Sequence, residues 1–389
     1  MVPLPHPCQQ EPIRGLRPAR RQSPRQMKSP AFARLPEVVL LTDLDPIPPH
    51  EAVEMFHDAM VDEHAKSTRE SNKHRLQAFV QFCDEEGIEN LNELTGRDLY
   101  KYRIWRREGQ GDGRDPIKTV TLKGQLATLR RFLQFAADID AVPQGFYEKL
   151  TLPTMTNGED VSETTLDPER AIEILDYLEK ARPSTRDHII LALLWETGAR
   201  TGAIRGLDLT DVDLEGDHPR FSGPALQFVH RPETDTPLKN REAGTRWNRI
   251  SEKTARYIED YIDFHRDDVT DEYGREPLLT TSHGRPAGNT FRTTLYRITR
   301  PCWRGEDCPH DRDLDECEAT HIDHASKCPS ARSPHDVRSG RVTYYRREDV
   351  PRRVVKDRLN ASTDILDRHY DRRSDREQAE QRSDFLPDI

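Results

Sequence analysis

The sequence predicts a mainly α protein of two helical domains, the second of which carries a small β-hairpin. Three observations predict it. Apolar residues recur at helical spacing over most of residues 48–375, as in Leu126, Leu129, Phe132, Leu133 and Phe135. A polar stretch containing Pro153 and Gly158 interrupts that period and reads as a linker over 153–166. Strand-like runs at 225–230 and 246–250 flank a polar turn. A chain of 389 residues is long enough for two or three domains, each with its own core.

Taken in order, residues 1–45 read as a disordered basic tail. Arg14, Arg17, Arg20, Arg21, Arg25 and Lys28 sit there among prolines with no apolar period, and Met27 is a second candidate start. Pro48-Pro49 open a helix from His50. Ser67-Thr68 can cap the next helix, which carries Leu76, Phe79, Val80 and Phe82 on its apolar face. Gly96-Arg97-Asp98 precedes a helix with Tyr100, Tyr102 and Trp105, and a longer helix follows Pro116. Together these form a first domain over 48–152. Its helices also carry Lys66, Arg69, Lys73, Arg75, Lys101, Arg103, Arg106, Arg107, Lys118, Lys123, Arg130 and Arg131. A solvated polar face and a nucleic-acid surface account for them equally well.

The second domain spans 167–375. Helices are expected at 167–181, 186–198, 252–266, 289–300, 334–347, 351–358 and 362–373, with a Cys-rich insertion at 301–332 and a tail at 376–389.

Charge needs careful reading. With 59 Lys+Arg against 69 Asp+Glu, the net charge of -10 counts at face value against a nucleic-acid partner. Yet lysine is scarce: Lys239 is the only one between Lys180 and Lys253. Acidic composition with little lysine fits a high-salt cytoplasm such as that of a halophilic archaeon, where surface acidity serves hydration. The global charge therefore does not decide function. No run approaches the roughly 18 apolar residues of a membrane span, and the N-terminus lacks a signal peptide's apolar core. A cytoplasmic protein with no membrane partner is expected.

Four features of the second domain carry chemistry. Thr197-Gly198-Ala199-Arg200 follows the apolar run Ile189, Ile190, Leu191, Leu193, Leu194, Trp195. A glycine break there can deliver Arg200 rigidly into a cleft, or can simply end a helix with a favourable cation. Lys239 lies in the polar turn between the strand-like runs. His335 and Arg338 are one turn apart after Ser333-Pro334, so both can reach one anion. Tyr370 stands in Leu366-Asp367-Arg368-His369-Tyr370-Asp371, where a lone helix tyrosine also reads as core or interface. Tyr344 and Tyr345 lie too near the His335 helix to act as a separately mobile nucleophile.

In this order and spacing the residues resemble the tyrosine recombinase (phage integrase) family over roughly 48–375. Thr-Gly-Ala-Arg is similar to the family's Thr-Gly-x-Arg box, and the run Leu207-Asp208-Leu209-Thr210-Asp211-Val212-Asp213 to the segment after it. The interval from Leu359 to Tyr370 fits that from the family's Leu-Gly-His to its nucleophile. The resemblance implies a SAM-like helical core-binding domain and a mostly helical catalytic domain with a small β-sheet. It implies a site-specific recombinase or integrase acting on double-stranded DNA, as a homotetramer joining two sites. Tyr370 would be the nucleophile and form a 3′-phosphotyrosyl ester. Arg200 and Arg338 would hold the non-bridging oxygens, Lys239 would protonate the departing 5′ oxygen, and His335 would assist. Neither metal nor ATP enters this chemistry.

The sequence departs from the family pattern twice. Ala203 stands at its acidic position and Ala361 at its His or Trp position. A non-catalytic DNA-binding relative is therefore a rival reading. The insertion supplies another, a zinc-stabilised interaction protein. It carries Cys302, Cys308, Cys317 and Cys328, which can hold a structural zinc through four thiolates, remain as reduced unliganded thiols, or pair as a redox disulfide.

Overall fold

The computed structural model describes residues 44–110, 116–155, 164–219, 222–362 and 366. Most of the two expected tails, residues 156–163 of the expected linker, and the helix expected at 362–373 apart from Ser362 and Leu366 lie outside the described residues, as do His369 and Tyr370. The chain divides into two compact units, one ending at Pro153 and the other starting at Thr154.

The first unit contains α1 (Pro49–Ala59), α2 (Lys66–Glu86), α3 (Gly96–Arg107) and α4 (Thr119–Asp138). Its core follows the helical period. Phe79, Phe82, Tyr102 and Phe132 are fully buried, and Phe79 meets Tyr102 and Phe132 edge-on with ring centroids 5.4 and 6.0 Å apart. Helix starts differ from the sequence expectation. Ser67 and Thr68 lie inside α2, whose N-cap is Ala65 without a side-chain bond. The cap of α3 is Thr95, which forms a reciprocal capping box with Asp98. The basic residues also divide. Lys66, Lys73, Lys101, Arg107, Lys118 and Arg131 are exposed. Arg106 is buried, its Nε donating to Gln125 Oε1 at 2.7 Å and its Nη1 to the Gln110 carbonyl at 2.8 Å.

The second unit contains α5 (Pro168–Ala181), α6 (Arg186–Thr197), α7 (Thr201–Arg205), the strands β1 (Val212–Asp213), β2 (Ala225–Phe228) and β3 (Arg246–Arg249), then α8 (Glu252–Phe264), α9 (Gly288–Ile298), α10 (Pro334–Arg347) and α11 (Arg352–Leu359). Helix α6 is apolar around its circumference because it packs against α5, α8, α9 and α10. Burying Ile189, Ile190, Leu191, Leu193 and Leu194 there contributes about 1.5–3 kcal/mol each. The expected hairpin is two strands of an antiparallel sheet ordered β1-β2-β3, with Val212 opposite Leu226 and Phe228 opposite Arg246. Both β1, of two residues, and α7, of five, are too short to show a period in sequence.

The segment after α7 is held by ion pairs in poor contact with water. Asp208 receives Arg275 at 2.6 Å and Arg285 at 2.5 Å, Asp211 receives Arg231 at 2.6 Å, and Asp271 receives Arg285 at 2.8 Å. Burial pushes the Asp271 carboxyl up, but the Arg275 backbone N–H and the Arg285 guanidinium outweigh it and hold it below the usual range. This network fixes the start of the sheet relative to the loop at 271–285.

Candidate active site

Helix α6 ends at Gly198, whose φ of 61° is left-handed and whose N–H donates to Leu194 O. The chain turns at once, and Arg200 becomes the extended N-cap of α7. A Cβ at position 198 would come within 3.1 Å of Leu359 Cγ, so the turn lies directly against the end of α11.

Helix α10 starts at Pro334. Ser333 and Asp336 close a capping box, and Asp336 also accepts from Thr164 Oγ1 at 2.8 Å. His335 is exposed in the first turn and Arg338 is buried in the second. Arg338 donates from Nη1 to Gly198 O and from Nη2 to Leu359 O.

The end of α11 gathers these groups. Asn360 caps it in the left-handed region, with φ 48°. A guanidinium from a different element takes each of three successive carbonyls: Arg246 Nε on Arg358 O at 3.0 Å, Arg338 Nη2 on Leu359 O at 3.0 Å, and Arg200 Nη1 on Asn360 O at 3.1 Å. The last carbonyls of a helix carry partial negative charge and lack intrahelical donors, which is the physical reason for cations to converge there. Sequence reading identified Arg200 and Arg338 but missed Arg246, since an arginine on a short strand reads as solvated.

The turn bearing Lys239 reaches the same place. Lys239 is exposed, and its neighbour Asn240 donates from Nδ2 to Asn360 O at 3.2 Å and to Asn360 Oδ1 at 2.5 Å. The Asn360 Nδ2 donates in turn to Ala243 O at 2.9 Å. Three of the expected residues, Arg200, Lys239 and Arg338, are thus tied directly or through a neighbour to residues 359–360. His335 enters from the first turn of the helix that carries Arg338. Tyr370 lies outside the described residues.

Two other tyrosines are accounted for. The Tyr345 hydroxyl donates to Glu196 O at 3.2 Å and accepts from Arg358 Nε at 3.1 Å. Tyr344 packs with Trp195 at 6.0 Å between ring centroids, beside Arg341. Ala203 sits in the main core, and Ala361 in a small apolar cluster with Val342, Tyr345, Val355, Leu359 and Leu366.

In the insertion all four cysteines are free thiols, with Cys328 buried and the others half-buried. Burial raises the Cys302 thiol, Arg300 opposes that, and Cys328 and Cys308 lie near enough to add to it. Cys317 has Arg312 Nη1 at 4.0 Å from its Sγ. Among the described residues no group of three or more His, Cys, Asp or Glu side chains is gathered as a metal site requires. Arginines brace the loop: Arg300 donates to Ala319 O, and Arg170 to Thr299 O and Ser330 O.

Residues 55–138 match the family described as phage integrase, N-terminal SAM-like domain. In sequence the chain is 28% identical over 158 residues to tyrosine recombinase XerD of Mycobacterium tuberculosis, covering 38% of this chain and 49% of that protein. It is 25% identical over 178 residues to tyrosine recombinase XerC of Roseiflexus, covering 45% and 54%. The chain thus spans about half the length of the curated relatives it matches. In structure it resembles the Tn1549 transposon integrase in complex with a circular intermediate DNA, with TM-score 0.61 and 12% identity over 87% of this chain and 100% of that one. It also resembles the lambda integrase tetramer bound to a Holliday junction, with TM-score 0.55 and 11% identity over 85% and 80%. The fold is therefore that of the integrases, and the chain's sequence relatives are tyrosine recombinases.

Proposed function

We propose that the protein is a site-specific DNA recombinase or integrase that cuts and rejoins strands through a 3′-phosphotyrosyl intermediate on Tyr370. The observation that carries this reading is the convergence of Arg200 and Arg338 on successive carbonyls, Asn360 O and Leu359 O, with the Lys239 turn tied to the same asparagine. Fixed guanidiniums stay protonated and stabilise charge on the non-bridging oxygens of a phosphodiester.

In the proposed reaction Tyr370 Oη attacks the phosphorus and the P–O5′ bond breaks. Lys239 Nζ gives a proton to the leaving 5′ oxygen, and His335 takes up the tyrosyl proton. Attack by a 5′ hydroxyl of a partner strand reverses these steps and releases the tyrosine, so the bond energy is conserved and neither ATP nor a metal is consumed. The proposal includes a homotetramer on two double-stranded sites, a cytoplasmic location, and an origin in a halophilic archaeon or its mobile element, supported by the acidic, lysine-poor composition.

Ala203 and Ala361 favour a second reading, a relative that binds DNA without cleaving it, because both stand in apolar clusters. Incubating the full chain with nicked duplexes, selected for binding from a randomised pool, separates the two. A covalent protein–DNA complex supports the recombinase, and binding without the complex supports the non-catalytic relative.

A further inference from the structure

Beside the end of α11 lies a cavity of about 440 Å³ lined by Ala243, Arg246, Lys356, Asp357, Asn360, Ala361 and Ser362. Arg246 is the guanidinium on its wall, and it is held from several sides. Its Nε and Nη1 donate to Arg358 O at 3.0 Å and Gly244 O at 2.9 Å, and its Cζ lies 4.7 Å from the Phe228 ring centroid. Such a group is pre-oriented and loses little freedom when it meets an anion.

Its charge is not neutralised. Burial lowers the Arg246 pKa to about 10, and the other influences, from Arg338, Arg200 and Arg358, are all like charges. Among the described residues no carboxylate lies within ion-pair distance of Arg200 or Arg246. Partly desolvated cations held this close repel one another, and a bound anion relieves that repulsion. Ala361, on the same wall, offers no side-chain donor at all.

We propose that Arg246 is a third phosphate-binding catalytic residue, whose guanidinium holds a non-bridging oxygen of the scissile phosphate beside Ala361. The inference rests on the strand-transfer reading above.

The test uses the full chain and duplexes selected for retention from a randomised pool, resynthesised with either a phosphate or a neutral methylphosphonate at the mapped cleavage position. On phosphate, Arg246→Gln is expected to slow covalent-complex formation about 100-fold, the scale of one lost transition-state donor. On methylphosphonate, where a methyl group replaces one anionic non-bridging oxygen, variant and wild type are expected to react at similar rates. Each comparison is made within one protein preparation, so a folding loss affects both substrates alike. If Arg246→Gln does not fold, Arg246→Lys carries the same comparison. An equal loss on both substrates, or no loss on phosphate, overturns the role of Arg246 and leaves strand transfer standing. A wild-type protein that forms no covalent complex on any selected duplex overturns both.

Discussion

Arg200 and Asn360 meet across 160 residues of sequence, with Arg200 Nη1 donating to the Asn360 carbonyl at 3.1 Å. That carbonyl also accepts from Asn240, and the Asn360 side chain bonds Asn240 and Ala243. One left-handed residue thus fastens the α7 cap, the lysine turn and the end of α11 together. Asn360→Ala is expected to destabilise the fold by about 1–3 kcal/mol, from the lost side-chain bonds and the unfavourable φ. Asn360→Gly keeps the backbone conformation and is expected to cost less. Urea unfolding of both variants checks the order; equal stability for the two would contradict the part assigned to φ.

Gly198 carries the other sharp constraint. Its φ is 61°, and an added Cβ would sit 3.1 Å from Leu359 Cγ. Gly198→Ala is expected to cost about 1–3 kcal/mol through strain and displacement of Leu359, seen as a lowered thermal midpoint. An unchanged midpoint would mean that the α6 turn and the α11 end are not packed as described.

His188 gives the fold a dependence on pH. It is buried in α6 and accepts the Ser184 N–H at Nδ1, 3.1 Å away, and burial lowers its pKa to about 4. An unfolded histidine titrates near 6.5, so the unfolded chain binds the extra proton first as pH falls. The contribution is complete above pH 6.5 and is lost progressively down to about pH 4, in total roughly 3 kcal/mol. Measured as the difference between wild type and His188→Gln, the loss should appear in the urea midpoint over that window. A difference that stays constant across the window would contradict the buried, neutral histidine.

Much of this architecture was legible in the sequence. The long helices follow from apolar period, and the end of α6 from its glycine. The Arg200 box, the His335-x-x-Arg338 pair and the hairpin lysine stood out by type and order. The Arg246 and Asn360 contacts did not, because side chain-to-carbonyl bonds across more than a hundred residues leave no local pattern. Arg106 shows the same limit from the other side: it reads as one more surface cation until Gln125 and Gln110 are seen to hold it inside.

The acidic composition makes its own prediction. If the net charge of -10 reflects a high-salt cytoplasm, retention of selected duplexes should persist in molar KCl, where an ordinary counterion-release slope abolishes binding. Filter binding across a KCl series measures the slope. Complete loss of binding well below molar salt would contradict the halophilic reading.

The central claim is that Tyr370 becomes covalently joined to DNA. Nuclease trimming of the covalent complex, tryptic digestion and mass spectrometry locate the adduct. The account predicts a nucleotide 3′-phosphate on the peptide containing His369-Tyr370-Asp371, loss of the complex in Tyr370→Phe, and its persistence in Tyr345→Phe, whose hydroxyl is already bonded to Glu196 O and Arg358 Nε. An adduct on Tyr345, or a complex that survives Tyr370→Phe, would contradict it.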